Sequence, residues 1–562
     1  MSTDVSDAEL AACADVLRRL QPSDLDGDAD NMRELRAAGL SLFRRPVLHE
    51  RHGEQDVVEF LKEQAGYRTM LGKLERLQKR IDAEHEKRRQ QAASSGINKI
   101  REERLAAIEQ SASAAAGADV LRIGLSAGDG DEDEAAAATP PTAETLEPPP
   151  IGSFRRYCNT CKVPFDDAHH FYHALCPPCA DLNWSKRQQS ADMAGKICVV
   201  TGGRVRIGYE TVLKLLRAGA FVVATTRYPA DAALRYSREA DFGSWRERLE
   251  VCGPLQLSSL AQVEAFCDAL LHRFPRIHVL VNNAAQTLTR AAGWHVRMAA
   301  LEETAAAQLP EAARAMLTAG AASTPWLLRD GSGGVVGDGD GGGNGAAAAG
   351  GEAGGDSAAS DEAVAAFRAA ALQSVSEADF PRGRLDESLQ PLDLSPENSW
   401  SRRLGDVPTA ELLHTLAANA AAPFVMCSKL LAAIAPGAED AAWGHIVNVS
   451  ALEGKFSVGK KGAGHPHTNM AKAALNMLTH TSAGALLRRR VLMNCVDTGW
   501  ITDMAPGGVG ARAATHQTHV GPPLDEEDGA ARVLDPVFTH VADPDGCRPH
   551  GKFFKDYHPA PW

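Results

Sequence analysis

Residues 196–227 constrain the fold more than any other stretch of this chain. An apolar, β-branched run, 196–201, ends in Gly202 and Gly203; a helical pattern follows, and then a second apolar run, 221–226. Strand, tight turn, helix and strand within this length is the size of a βαβ crossover. The free amides and the dipole at a helix start favour an anion, and glycines let a diphosphate approach the backbone. The stretch therefore predicts a diphosphate-binding turn.

Apolar runs and helical patterns continue to alternate after this unit. The predicted helices are 260–274, 411–434 and 470–487. The predicted strands are 277–281, 445–450 and 491–496. Strands that alternate with helices imply a parallel, doubly wound sheet. We therefore predict an α/β Rossmann fold over residues 191–562.

The rest of the chain predicts smaller parts. Residues 1–125 are rich in helix formers and predict a helical region, for which a helical hairpin is favoured over a dimerising coiled coil. Residues 126–150, mostly Ala, Gly, Pro and acids, bury too little apolar area to offset chain entropy and predict a disordered linker. A Gly/Ala-rich insertion is expected at about 318–362, with its flanks as surface decoration in preference to a lid.

Composition bears on the class of protein and its partners. The 59 basic and 72 acidic side chains give a formal charge of −13, which argues against nucleic acid as the default partner. No continuous apolar run reaches the roughly 18 residues of a membrane helix, and no leader pattern opens the chain. The 11 cysteines do not suggest a disulfide framework. We expect a cytoplasmic protein without a membrane partner; a protein partner and a homo-oligomer stay open.

Two Cys-x-x-Cys pairs have the spacing of metal ligands. They are Cys158, Cys161, Cys176 and Cys179. Two such turns close a tetrahedral shell around Zn²⁺, so a small four-cysteine zinc module is predicted at 151–190, with redox-active dithiols as the competing interpretation. Three histidines between the pairs are expected to serve in packing more than as ligands: His169, His170 and His173.

Five ordered motifs between about 195 and 557 resemble those of the short-chain dehydrogenase/reductase superfamily. They are Thr201-Gly202…Ile207-Gly208, Asn282-Asn283-Ala284-Ala285, Asn419 in a helix, Lys472 before Ala473-Ala474, and the tail Gly551–Tyr557. Together with the cysteine pairs, the chain resembles an atypical branch of that superfamily with an N-terminal zinc-finger-like module of four cysteines.

The resemblance implies a nicotinamide dinucleotide cofactor. It assigns cofactor contacts to Gly202, Ile207, Gly208, Asn283, Lys472, Thr498 and Gly499. NAD-specific members carry an acid after the second strand, where this chain has Arg227. Arg204 and Arg206 add two cations in the turn, so three cations are expected around a 2′-phosphate, which favours NADP(H) over NAD.

The resemblance also implies carbonyl reduction or alcohol oxidation by a tyrosine, a lysine, a serine and an asparagine. Lys472 and Asn419 match the family's lysine and asparagine, as ribose anchor and proton relay. Thr468 stands where the tyrosine is expected, and Ala451 where the serine is expected. A threonine hydroxyl is far too weak an acid to replace a lysine-activated tyrosine at neutral pH. The family mechanism therefore does not transfer intact.

Two interpretations stay open. In one, the protein is an NADP(H)-dependent oxidoreductase of a small carbonyl or alcohol, in which His467 or His465 replaces the acid and Ser450 orients the substrate after a register shift. In the other, it is a non-catalytic NADP(H)-binding sensor or scaffold. Its zinc and helical modules would then engage a protein or RNA partner.

Overall fold

A computed structural model describes the following residues of the chain: 79, 83, 86–115, 156–323, 376–458, 461–502, 504–508 and 521–562. Most of the predicted helical region, the whole of the linker 126–150 and most of the Gly/Ala-rich insertion lie outside the described residues. The chain divides into two compact units, residues 1–94 with 137–168 and residues 95–136 with 169–562.

A short antiparallel hairpin lies in the first unit. It consists of β1 (Arg156–Tyr157) and β2 (Pro164–Phe165). Its turn is closed by the N–H of Cys158, which donates to the carbonyl of Val163 at 2.9 Å, and by the N–H of Lys162, which donates to the carbonyl of Cys158 at 3.0 Å. The first cysteine pair of the sequence therefore lies on a tight turn.

An eight-stranded sheet forms the centre of the second unit. Its strands are β3 (Ile197–Thr201), β4 (Phe221–Thr225), β5 (Leu249–Cys252), β6 (Val279–Asn282), β7 (Gly444–Ser450), β8 (Val491–Asp497), β9 (Phe553–Lys555) and β10 (His558–Ala560). The spatial order is β10-β9-β8-β7-β6-β3-β4-β5, and only the β9–β10 pair is antiparallel. The strand order reverses at β3, so the switch point of the sheet lies beside the predicted diphosphate turn. The predicted α/β fold class with a doubly wound parallel sheet is confirmed.

Helices surround this sheet. They are α1 (Gly96–Ala115), α2 (Pro177–Gln188), α3 (Arg206–Arg217), α4 (Pro229–Tyr236), α5 (Phe242–Trp245), α6 (Leu260–Arg273), α7 (Ala292–Gln308), α8 (Glu311–Ser323), α9 (Thr409–Leu416), α10 (Ala422–Ile434), α11 (Pro466–Leu487) and α12 (Glu526–Ala542). Successive strand residues point to opposite faces, so Val199 joins one apolar cluster and Val200 the other. The core is therefore two apolar layers, one on each face of the sheet.

Helix α11 begins four residues earlier than the predicted start at Met470. Pro466 is its first residue, where the missing N–H of proline is tolerated and its fixed φ suits a helix. As a result, His467 and Thr468 lie in the first turn of the helix and are buried. Sequence periodicity missed this turn because it contains a proline and few apolar side chains.

Helices α1 and α2 pack on the segment that leads into α12. Arg101 on α1 donates to the carbonyls of Pro522 and Leu524, both at 2.7 Å. Arg187 on α2 pairs with Asp525 at 2.6 Å, and all of these groups lie in the second unit. The helix that carries the second cysteine pair is thus fixed to the Rossmann fold by a buried ion pair.

Among the described residues, one helical run, 409–434, is long and apolar enough to cross a membrane, but half of its most apolar window is buried. It passes from α9 through the π-helical turn Ala417–Ala421 into α10. Met426 and Leu430 belong to the apolar layer on the sheet. The run is therefore accounted for as a core helix of the fold.

Candidate functional site

The turn after β3 is shaped by glycines. Gly202 has a φ of 73°, and the N–H groups of Gly202 and Gly203 donate to the carbonyl of Thr225 at 2.9 and 3.0 Å. A Cβ on Gly208 would lie 2.1 Å from the carbonyl oxygen of Gly202, so a larger residue cannot fit without moving the backbone. The N-cap residue of α3, Val205, offers no side-chain acceptor to the first amides of the helix. This geometry suits an anion at the helix start.

Asn283 and Thr201 hold the turn against the end of β6. The Asn283 Nδ2 donates to the carbonyl of Thr201 at 2.9 Å, and the Thr201 Oγ1 accepts from the N–H groups of Asn283 and Ala284, both at 3.0 Å. Asn283 therefore supports the predicted cofactor site by holding the backbone of the turn in place. Sequence reasoning missed Thr201 as a site residue, although it opens the first motif of the resemblance.

The three expected cations do not have equivalent surroundings. Arg204 is buried and donates to Asp231 at 2.7 Å and to Gln390 at 2.6 Å. Arg227 is exposed, and among the described residues its one recorded partner is the ring of Tyr228, with the guanidinium carbon 5.7 Å from the ring centre. The expectation of three cations around one phosphate is corrected for Arg204, because a carboxylate already neutralises it. Arg227 is left as the accessible cation at the end of β4.

In the resemblance to the family, Arg206 stands at a position where glycine is usual. The backbone conformation at Arg206 explains the preference for glycine there. Its φ is 56°, in the left-handed region that costs an L-residue about 1–2 kcal/mol. The Arg206 Nε donates to the Ser388 Oγ at 2.9 Å, and an Nη lies 3.7 Å from the carboxylate of Asp386. The side chain is therefore held by residues that follow the insertion.

Lys472 and Thr468 lie one helical turn apart on α11. Lys472 is buried and its Nζ donates to the carbonyl of Val449 at 2.7 Å. Burial lowers the pKa of Lys472 from 10.5 to about 8. The hydroxyl of Thr468 is also buried and has no hydrogen-bond partner among the described residues. Side chains four residues apart share a helix face, so the two groups belong to one site.

The end of β7 supplies no hydroxyl to this site. The Ser450 Oγ donates to the Oδ1 of Asn476 at 2.5 Å, and Ser450 is buried. Ala451 has no polar side chain. The expectation that Ser450 orients a substrate after a register shift is therefore wrong for this structure, in which Ser450 ties β7 to α11.

Both candidate histidines are held away from the Lys472 turn. The His467 Nε2 lies 3.1 Å from a carboxylate oxygen of Glu411 on α9, and its pKa is lowered, chiefly by burial. His465 stacks on Trp400 with the ring centres 3.7 Å apart and contacts the Trp400 carbonyl through Nδ1 at 3.0 Å. His467 is five positions from Lys472, roughly 140° around the helix. The assignment of either histidine as the acid is therefore corrected, because both rings are held in packing contacts at the start of α11.

Asn419 lies on the π-helical turn and faces the loop after β6. Its Oδ1 accepts from the N–H of Gln286 at 2.6 Å, and its Nδ2 donates to the Gln286 carbonyl at 3.1 Å. Single π-helical turns often mark functional positions. Here the turn brings the predicted relay residue to the edge of the sheet where the strands end.

Asp497 organises the loop that contains Thr498 and Gly499. Its carboxylate accepts from the N–H of Gly499 at 2.9 Å and from the N–H of Leu452 at 2.7 Å, and burial raises its pKa. Gly499 has a φ of 80°, which explains a glycine there. Asp497 was missed by sequence reasoning, although a lone acid that ends an apolar strand is a usable signal.

The four predicted metal ligands fall into two pairs, one in each compact unit. In the first unit, the N–H and the carbonyl of Cys158 close the turn that contains Cys161. In the second unit, Cys176 is the N-cap residue of α2 and Cys179 lies in its first turn, and both are buried. The nearby histidines have other partners: the His169 Nδ1 accepts from the N–H of Phe171 at 3.1 Å, and the His173 Nδ1 lies 3.4 Å from the Ser95 Oγ.

The comparisons with known proteins agree with this geometry. Residues 196–336 match the family model described as short chain dehydrogenase, and residues 359–533 match the model described as enoyl-(acyl carrier protein) reductase. The chain belongs to the short-chain dehydrogenase/reductase superfamily.

Relatives in this superfamily match different shares of the chain. An uncharacterized protein of Acanthamoeba polyphaga mimivirus is 25% identical over 395 residues, which cover 68% of this chain and 71% of that protein. The short chain dehydrogenase/reductase dpchH of Colletotrichum higginsianum is 40% identical over 18% of this chain and 26% of its own length. Human retinol dehydrogenase 14 is 37% identical over 16% of this chain and 31% of its own length.

Solved structures of the superfamily are similar at low identity. RhlG of Pseudomonas aeruginosa, in complex with NADP, has 17% identity and a TM-score of 0.36, covering 65% of this chain and 95% of that one. A carbonyl reductase from chicken fatty liver, with NADPH bound, has 14% identity and a TM-score of 0.36, covering 66% of this chain and all of that one.

The close approach at Gly208 generates a stability prediction. Gly208→Ala should lower the free energy of unfolding by about 1–3 kcal/mol, because the new Cβ meets backbone atoms that cannot rotate away. Gly484→Ala is the matched control: of the described residues, none outside the helix backbone lies within 4 Å of that Cβ on α11, so this change should raise stability by up to about 1 kcal/mol. Urea denaturation of the three proteins measures both effects, and an unchanged Gly208→Ala protein would contradict the described turn.

Proposed function

We propose that the protein is an NADP(H)-dependent oxidoreductase of a small carbonyl or alcohol substrate, with a degenerate catalytic tyrosine–serine pair. One observation carries the proposal: the buried amine of Lys472 and the hydroxyl of Thr468, which has no hydrogen-bond partner in the described part of the chain, share a helix face at the carboxyl edge of the sheet. The diphosphate turn follows another strand at that same edge. Because the strands are parallel, the parts of a dinucleotide site and a reaction site meet there.

The turn fits the diphosphate of a dinucleotide. Gly202 in the left-handed region and Gly208 against the Gly202 carbonyl leave the helix amides of α3 uncovered by side chains on the turn itself. A bound nicotinamide dinucleotide supplies hydride chemistry at this edge. Lys472 is the residue that we propose holds its nicotinamide ribose.

The accessible cation supports NADP(H). Arg227 follows β4, where an acid would hold the ribose hydroxyls of NAD, and no ion pair occupies it among the described residues. A guanidinium binds a phosphate through charge-assisted hydrogen bonds. We infer that Arg227 binds the 2′-phosphate, without Arg204.

Arg227→Asp should weaken NADPH binding by about 10- to 100-fold and leave NADH binding nearly unchanged, because only NADPH carries the phosphate that the guanidinium contacts. Fluorescence titration with each nucleotide measures this. Arg246→Asp, on an exposed arginine paired with Glu247, controls for the change in net charge. Equal losses for both nucleotides would refute the assignment.

The proton in this site is proposed to come from Lys472. Its pKa of about 8 keeps the amine largely protonated at neutral pH yet able to release a proton, as a general acid requires. We propose that the Thr468 hydroxyl passes that proton on once substrate is bound: it accepts one proton and donates its own, so its charge is unchanged. During reduction the ammonium becomes a neutral amine and the substrate oxygen becomes a hydroxyl.

NADPH oxidation with a panel of aldehydes and ketones tests the proposal. Reduction should slow as pH rises through about 8, because the ammonium that donates is lost, and the reverse oxidation should speed up over the same range. Lys472→Ala should lower kcat at least about 100-fold.

Lys472→Arg separates binding from proton donation. Arginine keeps the cation but does not release its proton near neutral pH, so nucleotide affinity should persist while kcat falls. Lys429→Ala, on a half-buried lysine paired with Asp268, is the matched control. Full activity of Lys472→Arg would eliminate Lys472 as the acid, and no turnover across the panel would count against an oxidoreductase.

We also propose that the four cysteines bind one structural Zn²⁺. The two Cys-x-x-Cys pairs supply the four thiolates that a tetrahedral structural zinc takes. The second pair lies at the start of α2, which is fixed to α12 through Arg187. The ion would then stabilise a segment that has little apolar core of its own.

Metal analysis of the purified chain should find about one zinc per chain, and Cys176→Ser with Cys179→Ser should remove it and lower the melting temperature. Cys547→Ser is the control, since that cysteine is outside the cluster. Absence of zinc from a folded protein purified without chelator would remove this proposal.

A further inference from the structure

Residues 384–400, here called the strap, cross the carboxyl edge of the sheet. Its Gln390 and Ser399 are buried, and the Ser399 Oγ accepts from the N–H of Thr289 in the loop after β6 at 2.8 Å. The strap therefore lies over the edge where the proposed nucleotide site is built.

One end of the strap is bound to the diphosphate turn. Arg206, the first residue of α3, donates to Ser388 at 2.9 Å, and Arg204 donates to Gln390 at 2.6 Å. Arg235 on α4 donates to the carbonyls of Ser388 and Leu389 at 2.9 and 2.7 Å. Three guanidinium groups thus hold one short stretch of strap.

The strap brings a carboxylate to the turn. Asp386 lies 3.7 Å from the Arg206 guanidinium, and its Oδ1 accepts from the N–H groups of Ser388 and Gln390 at 2.9 and 3.0 Å. A carboxylate and a phosphate are recognised by a guanidinium through the same geometry. Asp386 therefore sits beside Arg206 as an internal anion where a diphosphate would be favoured.

The other end of the strap is fixed across the sheet. Asp393 pairs with Arg290 at 2.7 Å, and the carbonyl of Ser395 accepts from the N–H of Gly507 in the loop after β8 at 2.9 Å. The cavity that Arg206, Arg290, the strap and Thr502 line has a volume of about 50 Å³. Ligand pockets have roughly 300–1,000 Å³, so this cavity does not admit a dinucleotide while the strap lies in place.

We infer that the strap is an autoinhibitory segment whose Asp386, Ser388 and Gln390 occupy the turn arginines and compete with the dinucleotide for the site. The inference rests on the proposed nucleotide binding. Binding then requires the strap to leave the turn, and the apparent affinity is reduced by the fraction of molecules in which it has left.

The test is a fluorescence titration of the full chain with NADPH. The double variant Ser388→Ala/Gln390→Ala removes the two side-chain hydrogen bonds of the strap to the turn, and it keeps Asp386 and both arginines. It should bind NADPH roughly tenfold more tightly than the unaltered chain. Asp386→Asn, which keeps the side-chain size and removes the charge, is a second, milder variant and should bind a few-fold more tightly. Ser244→Ala/Gln189→Ala is the control, with both changes away from the strap.

Unchanged or weaker binding by both strap variants overturns the inference. If neither the unaltered chain nor any folded variant binds NADPH or NADH, the proposed function itself fails, which is a different result. Hydrogen exchange supplies a second measurement on the unaltered chain. Saturating NADPH should accelerate amide exchange over 385–394, whereas slower exchange there would show that the strap closes over the nucleotide and would also overturn the inference.

Discussion

The close approach of two backbone segments at the end of β3 is the constraint on which the rest of the structure depends. Gly208 fits against the carbonyl of Gly202 only because it has no side chain, and Asn283 fixes the same turn to the end of β6. The turn lies where the strand order reverses, so every loop that follows a parallel strand is aimed at one edge. The residues predicted to contact the cofactor, the Lys472 turn and the strap lie along that edge as a result.

The residues at the tyrosine and serine positions implied by the resemblance, Thr468 and Ala451, limit the chemistry that the proposed site can do. With Ala451 nonpolar and Ser450 bonded to Asn476, the end of β7 contributes no hydroxyl to orient a carbonyl. Burial lowers the pKa of Lys472, because the desolvated ammonium holds its proton less tightly. For this reason the proposed function assigns proton donation to the lysine.

Much of the fold and part of the site follow from local sequence, and the remainder depends on contacts distant in the chain. Apolar runs that alternate with helical patterns, together with the glycine turn, predict the sheet. Strands buried on both faces leave this signal because most of their side chains are apolar. The partners of Arg204 and Arg206 are about 180 residues further along the chain, so no local pattern reveals that the strap holds them. His467 looked available as an acid in the sequence, but its contact with Glu411 exists only once α9 and α11 pack.

Binding of a nicotinamide dinucleotide at the start of α3 and the turn before it underlies both the proposed function and the inference about the strap. Isothermal titration calorimetry of the purified full chain with NADPH measures this binding. We expect a saturable heat with about one site per chain, and a dependence on salt because charged groups meet at the turn. If a folded protein whose strap contacts to the turn have been removed gives no saturable heat with either NADPH or NADH, the turn does not bind a dinucleotide.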